Sequence, residues 1–355
     1  MTLRNDKIGV IPLPVNRLHI ELTNFCNFAC EFCPDSKMKR PRGFMDFDML
    51  KGILDEVKER DIASSILFHV MGEPLLYPRL LDVIQYAKKK GIHSCITTNG
   101  ALLNDELLDE MIKSGLNTII LSLQTPDDES FKMRGAKGVS FEAYAERIRQ
   151  IAQKVIKNRS VNLRIDFLSS PLRRLIIPIA KEFKIADTSK RLKMHLRSWA
   201  EKILKDTDIE DNRAPDVIKQ INRVRNFKEN NIVISDNLSF HTRIVGDWST
   251  HFDRKTINAK FGYCPALKEN FGILWNGDYI FCCADFDGRT SICNYKQTSI
   301  TDYLKKEVVQ NVVKGFNSLR VIHPYCRQCI GDKNILNAFV KQIGSIVYFK
   351  WLRAN

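Results

Sequence analysis

Apolar positions along the first 200 residues alternate between two periods. Short apolar runs bounded by polar, Gly, Pro or Asn residues predict strands over 17–23, 65–70, 93–98, 118–123, 162–167 and 191–197. Between them, stretches near 47–60, 78–90, 104–114, 140–156 and 172–182 read as helices. The first carries Phe47, Leu50, Ile53, Leu54 and Val57 close to the 3.6-residue period. Strands alternating with helices at this spacing imply parallel strands joined by right-handed crossovers, an α/β fold built as an open sheet or a barrel. Ligands in such folds sit at the carboxyl ends of the strands. Cys26, Gly72-Glu73-Pro74, Asn99-Gly100 and Ser122 all fall at those ends.

The rhythm breaks at 200–262, a charged and polar stretch with helical patterns at 200–205 and 214–227, read as a bridge or insertion. Residues 263–331 are rich in cysteine, with a Trp275-Asn276-Gly277-Asp278 turn between short β runs, a hairpin signal, then a helix near 299–315. In 332–355, Leu336, Phe339, Val340, Ile343, Val347 and Trp351 recur at helical spacing beside Lys341, Lys350 and Arg353, the pattern of a basic amphipathic helix. The expected units are therefore 1–199, 200–262, 263–331 and 332–355.

A hydrophobic content of 44% with 27% charged residues excludes wholesale disorder. No apolar run is long enough to span a bilayer, and the opening Met1-Thr2-Leu3-Arg4-Asn5-Asp6 has no apolar signal core, so a cytoplasmic location is expected. Ten cysteines in a reducing compartment point to metal ligation rather than disulfides. A net charge of +14 calls for something anionic. Its candidate bearers are the Lys37-Met38-Lys39-Arg40-Pro41-Arg42 loop, facing an anionic substrate, and the 332–355 helix, facing a membrane surface or a lipid-linked substrate. No nucleic-acid recognition signature is visible, and no nucleic-acid partner is expected.

Cys26, Cys30 and Cys33 form C-x3-C-x2-C. Three thiolates on one loop can hold three corners of a [4Fe–4S] cube and leave the fourth iron open to a small chelator. Structural zinc normally closes with a fourth Cys or His, and the next His is His69. With Phe32 before the third cysteine, this motif resembles that of the radical S-adenosylmethionine (SAM) enzymes. The resemblance covers about residues 15–200 and implies a partial (β/α)6 barrel. It also implies that the open iron binds SAM, which is reductively cleaved to a 5′-deoxyadenosyl radical that removes a substrate hydrogen atom. A flavodoxin- or ferredoxin-type donor would supply the electron. Met71-Gly72-Glu73-Pro74 resembles the family's Gly-Gly-Glu-Pro segment, which receives the SAM amino group, with Met71 replacing the first glycine. Thr98, Asn99 and Ser122 resemble further SAM contacts, and Arg134 is a candidate partner for the methionine carboxylate.

Cys264, Cys282, Cys326 and Cys329 form C-x12-G-x4-C followed by C-x2-C. On the residues alone, Zn(Cys)4 and [4Fe–4S](Cys)4 both remain open. The pattern resembles the Twitch domain, the half-sized relative of SPASM, which implies one auxiliary [4Fe–4S] cluster on these four thiols and two clusters in all. No cysteine follows Cys329, so a second auxiliary cluster lacks ligands. Cys95 and Cys293 read as core residues. Cys283 stays open between hydrogen-atom donor, substitute ligand and core residue.

An auxiliary cluster implies redox work at a distance from SAM. The expected reaction is dehydrogenation of an alcohol, sugar or cyclitol, with the cluster as electron acceptor. The candidate bases are Asp285, Asp287, His195 and Arg197. Radical epimerisation of a sugar or peptide with Cys283 as donor is one alternative, and peptide or protein modification another. The roughly 25 residues before Cys26 leave no room for a peptide-recognition domain, which favours a polar small molecule or glycan. From a different class, a non-catalytic zinc or iron–sulfur nucleic-acid-binding protein is the competing reading.

Overall fold

The computed structural model describes residues 7–170, 185–245 and 255–352. A hairpin of β1 (Lys7–Ile8) and β2 (Ile11–Pro12) precedes the main sheet. That sheet contains β3 (Arg17–Ile20), β4 (Ile66–Phe68), β5 (Ser94–Thr98), β6 (Thr118–Gln124), β7 (Asn162–Ser169), β8 (Asn230–Ser235), β9 (Leu238–Ile244), β10 (Asn270–Ile273) and β11 (Tyr279–Ile280). Their order is β11-β10-β3-β4-β5-β6-β7-β9-β8. Every pair from β10 to β9 is parallel, and the two edge strands β8 and β11 are antiparallel to their neighbours. The sheet is therefore mostly parallel and does not close into a barrel. The predicted strands at 17–23, 65–70, 93–98, 118–123 and 162–167 correspond to β3 through β7, and the Trp275-Asn276-Gly277-Asp278 turn joins β10 to β11.

Helices α1 (Phe47–Glu59), α2 (Leu80–Lys89), α3 (Asp105–Ser114), α4 (Asp128–Phe131) and α5 (Phe141–Asn158) cross between the parallel strands. Their limits follow local chemistry. Asp46, Asn104, Asp127 and Ser140 cap the N-termini of α1, α3, α4 and α5 through side-chain oxygens, and Gly115 at φ +92° ends α3. α1 buries Leu50, Ile53, Leu54 and Val57 against the sheet, the stripe the sequence predicts.

Two expectations are corrected. The 191–197 run is not a strand but part of α6 (Ser189–Leu204), capped by Thr188. Its buried residues Leu192, His195, Leu196, Trp199 and Ile203 recur every three to four positions, so helical periodicity wins over the short local run. The place beside β7 is taken instead by β9, which arises within the segment read as a bridge. Leu238, Phe240 and Thr242 are buried there in alternation with more exposed residues, a strand pattern masked by the polar composition around it. The 214–227 pattern becomes α7 (Glu210–Asn222). The predicted helix at 172–182 lies outside the described residues. The helix near 299–315 is two helices, α8 (Ile300–Lys305) and α9 (Glu307–Asn317). α10 (Pro324–Ile330) and α11 (Ile335–Val347) follow.

Candidate functional site

Cys26, Cys30 and Cys33 lie on the loop that leaves β3. Partial desolvation pushes the Cys26 thiol, which keeps an edge open to solvent, up to about 11, burial pushes the Cys33 thiol up to about 12, and the neighbouring thiols add to both shifts. Without positive charge these sulfurs stay protonated; bound iron would supply it. Among the described residues, no three His, Cys, Asp or Glu side chains converge as they would around a single metal ion. A four-iron cube spreads its thiolates wider than one tetrahedral ion does, and three thiols on one loop within electrostatic reach of one another suit three of its corners. The loop is held from outside. Ala29 N donates to Arg134 O (3.1 Å) and Glu31 N to Met133 O (2.9 Å). A side chain at Gly135, at φ +55°, would stand 2.7 Å from Ala29 O.

Glu73, in the turn after β4, is fully enclosed against the end of β5. Its carboxylate accepts from Thr98 Oγ1 (2.7 Å), Asn99 N (2.8 Å) and Leu75 N (3.1 Å). Burial lifts it to about 7 against those three hydrogen bonds. Pro74 begins the short 3₁₀ turn Pro74–Leu76 that Glu73 caps. Gly72, at φ +79°, lies so close to the cysteine loop that a Cβ would meet Thr23 O at 2.5 Å. Asn99 Nδ2 donates to Asn27 Oδ1 (2.7 Å), tying the β5 end to the same loop. The structure thus brings Gly72, Glu73, Pro74, Thr98 and Asn99 together beside Cys26. Arg134 is buried, donates to Ser122 O (2.8 Å) and Gln124 Oε1 (2.7 Å), and stacks on Phe28. Its Nε has no hydrogen-bond partner among the described residues. Ser122 meets Arg134 through its backbone oxygen, and Phe32 is half-buried.

Cys264, Cys282, Cys326 and Cys329 come from three segments and lie within electrostatic reach of one another. Burial raises all four thiols, and the charge of Cys264, Cys326 and Cys329 adds to the shift at Cys282. α10 carries Cys326 and Cys329 and is anchored by Tyr325, whose hydroxyl donates to Ala284 O (2.8 Å). Asp285 is buried and accepts from Arg289 N (2.9 Å), Thr290 N (2.7 Å) and Thr290 Oγ1 (2.7 Å). These three hydrogen bonds tie its carboxylate to the loop after Cys282–Cys283.

Residues 20–170 match the radical SAM superfamily model, and residues 264–330 match the SPASM iron–sulfur cluster-binding domain. The chain carries a radical SAM domain and a SPASM domain. Those two domains indicate SAM and two [4Fe–4S] clusters. Over 106 residues the chain is 36% identical to the tungsten-containing aldehyde ferredoxin oxidoreductase cofactor-modifying protein of Pyrococcus furiosus, covering 30% of each chain. Over 119 residues it is 29% identical to the S-adenosyl-L-methionine-dependent 2-deoxy-scyllo-inosamine dehydrogenase of Niallia circulans, covering 32% of this chain and 47% of the relative. The match thus spans less than half the length of either relative. Streptococcus suis SuiB bound to S-adenosylmethionine shares the fold with a TM-score of 0.55 and 19% identity, covering 87% of this chain and 69% of that one.

The radical SAM domain also contains an organiser that motif reading missed. Glu21 is buried immediately after β3 and pairs with Arg40, whose Nη1 donates to Oε2 at 2.6 Å. Met71 N (3.1 Å) and Trp275 N (3.2 Å) donate to the same carboxylate. Glu21 therefore joins the loop after Cys33, the Gly72-Glu73 turn and the SPASM hairpin. Asp287 adds a second link, accepting from Lys39 N (2.7 Å) and Arg40 N (3.1 Å). The only sequence signal was an acid inside the strand predicted over 17–23.

Other predicted residues lie elsewhere. His195 sits on α6, its Nε2 3.1 Å from Asp127 Oδ2, and Arg197 on the same helix pairs with Asn222. α6 packs beside α5 and α7, so helix formation carries both residues away from the cysteine loops. The 37–42 loop is not a free basic patch, because Arg40 is held by Glu21 and Arg42 by Asp35 (2.7 Å). Cys95 is buried with Leu67 and Ile120, and Cys293 packs against the main core. α11 docks through Gln342 and Ser345, which accept from Lys260 N (2.9 Å) and Tyr263 N (3.1 Å). Ile335, Leu336 and Val340 on the same helix are exposed. No helix among the described residues is long and apolar enough to cross a membrane.

Proposed function

We propose that this chain oxidises an alcohol, sugar or cyclitol-type carbon by radical chemistry. The observation that carries the reading is the shared framework: Glu21 and Arg40 join the three-thiol loop, the Glu73 turn and the SPASM hairpin in one sheet. Bound there, the cluster and SAM would supply a 5′-deoxyadenosyl radical. Cys26, Cys30 and Cys33 would hold the first cluster, and Glu73, with Thr98 and Asn99 fixing its carboxylate, would receive the SAM ammonium group. The substrate carbon gives up a hydrogen atom; the resulting radical then loses its hydroxyl proton and one electron, leaving a carbonyl. Cys264, Cys282, Cys326 and Cys329 would hold the auxiliary cluster, which would supply the acceptor for that electron, and a flavodoxin- or ferredoxin-type donor would supply the electron that starts the cycle. The dehydrogenase relative supports this outcome.

The test is isotopic. A polyol deuterated at the reacting carbon should transfer deuterium to 5′-deoxyadenosine and yield a carbonyl without solvent deuterium. Cys283 supports epimerisation as a second reading, because its thiol lies within electrostatic reach of Arg17 and Arg243 rather than only of the other thiols. That reading requires solvent deuterium in the product and its loss in Cys283→Ala.

Peripheral contact with an anionic membrane belongs to the same proposal. The exposed Ile335, Leu336, Val340 and Trp351, with Lys333 and Lys350 nearby, have the composition of an interfacial face. Co-sedimentation with phosphatidylglycerol vesicles tests it; no pelleting at low salt contradicts it.

A further inference from the structure

The inner face of the sheet is unusually basic. On β3, β7 and β9, alternate residues enter the main core beneath the helices: Leu18, Ile20, Leu163, Ile165, Phe167, Leu238 and Phe240. The residues between them point to the other face, because strand side chains alternate. These are Arg17 and His19 on β3, Arg164 and Asp166 on β7, and His241 and Arg243 on β9. They belong to one space rather than to separate patches. His19 Nδ1 lies 3.3 Å from His69 O. Arg17 and Arg243 both act on His19, Arg243 on His69, Arg17 and Arg164 on Cys95, and Arg17 and Arg243 on Cys283.

The charges there are not balanced. Arg164 holds Asp166 in a two-bond clamp at 2.7 and 3.0 Å. Arg243 and His241 approach the same carboxylate only to 3.8 and 3.9 Å. Glu229 also acts on His241 but is exposed. Arg17 Nε is buried without a hydrogen-bond partner among the described residues. Arg164 and Arg243 share one enclosed carboxylate while the buried Arg17 Nε has none, which leaves positive charge and an unfilled donor that an anion would complete. Forked guanidinium donors match phosphate oxygens in pairs.

We infer that this inner face is the binding site for a phosphorylated substrate, with Arg17 and Arg243 holding the phosphate and Asp166 fixing Arg164 beside it. The inference rests on the proposed radical oxidation of a polar molecule and names that molecule's class, a phosphate ester or diphosphate. Arg17 and Arg243 also act on Cys283, so a phosphate held by them would put the rest of the substrate on the same side of the sheet as that thiol. His19 and His69 are both pushed down to about 4, chiefly by burial, so they are neutral at pH 7 and the attraction comes from the arginines.

The test uses the reconstituted full chain and inorganic pyrophosphate as probe, followed by phosphorus NMR and calorimetry, with and without SAM. Pyrophosphate should bind with SAM already present, and acetate should bind at least tenfold more weakly. Arg243→Gln and Arg17→Gln should each weaken pyrophosphate about tenfold or more, the scale of one charge-assisted contact. Arg243→Lys should recover part of the loss, with iron content showing that each variant is folded. Equal binding of pyrophosphate by wild type and the double Arg17→Gln, Arg243→Gln variant would overturn the inference. So would displacement of pyrophosphate by SAM, or acetate binding as tightly as pyrophosphate. Formation of 5′-deoxyadenosine by the wild-type protein is scored separately, so failure of the radical reading and failure of the phosphate site give different results.

Discussion

The two thiol sets are built in opposite ways. Cys26, Cys30 and Cys33 come from one short loop, and the rest of the domain braces that loop through Gly72, Gly135, Asn99 and Arg134. Cys264, Cys282, Cys326 and Cys329 come from three segments and are drawn together by a hairpin and α10. Cys26 is exposed, whereas Cys326 is buried. A braced loop with an exposed thiol leaves room for a small molecule; a centre assembled from distant segments instead ties those segments together. In the proposed reaction the first arrangement would serve exchange and the second architecture and electron transfer.

The largest expected effects separate these roles. Cys30→Ala should reduce SAM cleavage to the enzyme-free blank while leaving the denaturation midpoint nearly unchanged. Cys326→Ala should lose about four irons, the content of one cube, and lower the midpoint markedly, yet still form 5′-deoxyadenosine. Equal effects of the two variants on cleavage and on stability would erase the distinction.

Arg40→Ala comes next. It strands Glu21 in a buried site shared by both regions. The expected loss is about 3–5 kcal/mol in denaturant unfolding. A loss below about 1 kcal/mol would be that of an exposed pair and would show that Glu21 does not join them.

Glu73→Gln should weaken SAM binding about tenfold to a hundredfold, the scale of a charge-assisted hydrogen bond. The pH dependence has a defined sign. Burial raises the Glu73 carboxyl from 4.5 to about 7, so the folded apo-protein binds this proton more tightly than the unfolded chain. Its contribution to stability is therefore full below about 4.5 and falls as pH rises toward 7. SAM affinity runs the other way, weakening below about pH 7 as Glu73 protonates. The Gln variant should flatten that profile.

The smallest effect on folding is expected at α11. Val340→Glu should change stability by only about 0.5 kcal/mol, since the side chain is exposed. It should abolish vesicle pelleting if that face meets a membrane.

The same contrast decides what could be read from sequence. The C-x3-C-x2-C loop and the Gly72-Glu73-Pro74 and Thr98-Asn99 strand ends are short-range patterns at predictable places in an alternating α/β chain. The four SPASM thiols were legible through their spacing. The Glu21–Arg40 pair was not, because its meaning depends on Met71 and Trp275 arriving from other loops. The basic inner face was hidden for the same reason: one or two arginines or histidines per strand say nothing until β3, β7 and β9 take their places in one sheet. β9 itself was obscured by its charged surroundings, and His195 and Arg197 were misplaced because the short alternation Arg191-Leu192-Lys193-Met194-His195-Leu196-Arg197 reads as a strand until the longer helical period around it is counted.

The most direct measurement is anaerobic turnover of the reconstituted chain with SAM and a strong reductant, with iron and 5′-deoxyadenosine quantified on the same sample. Two cubes predict about eight irons per chain, together with 5′-deoxyadenosine and methionine in equal amounts. A chain holding that iron but leaving SAM intact would contradict the assignment of the Cys26–Cys33 loop as the site of radical generation.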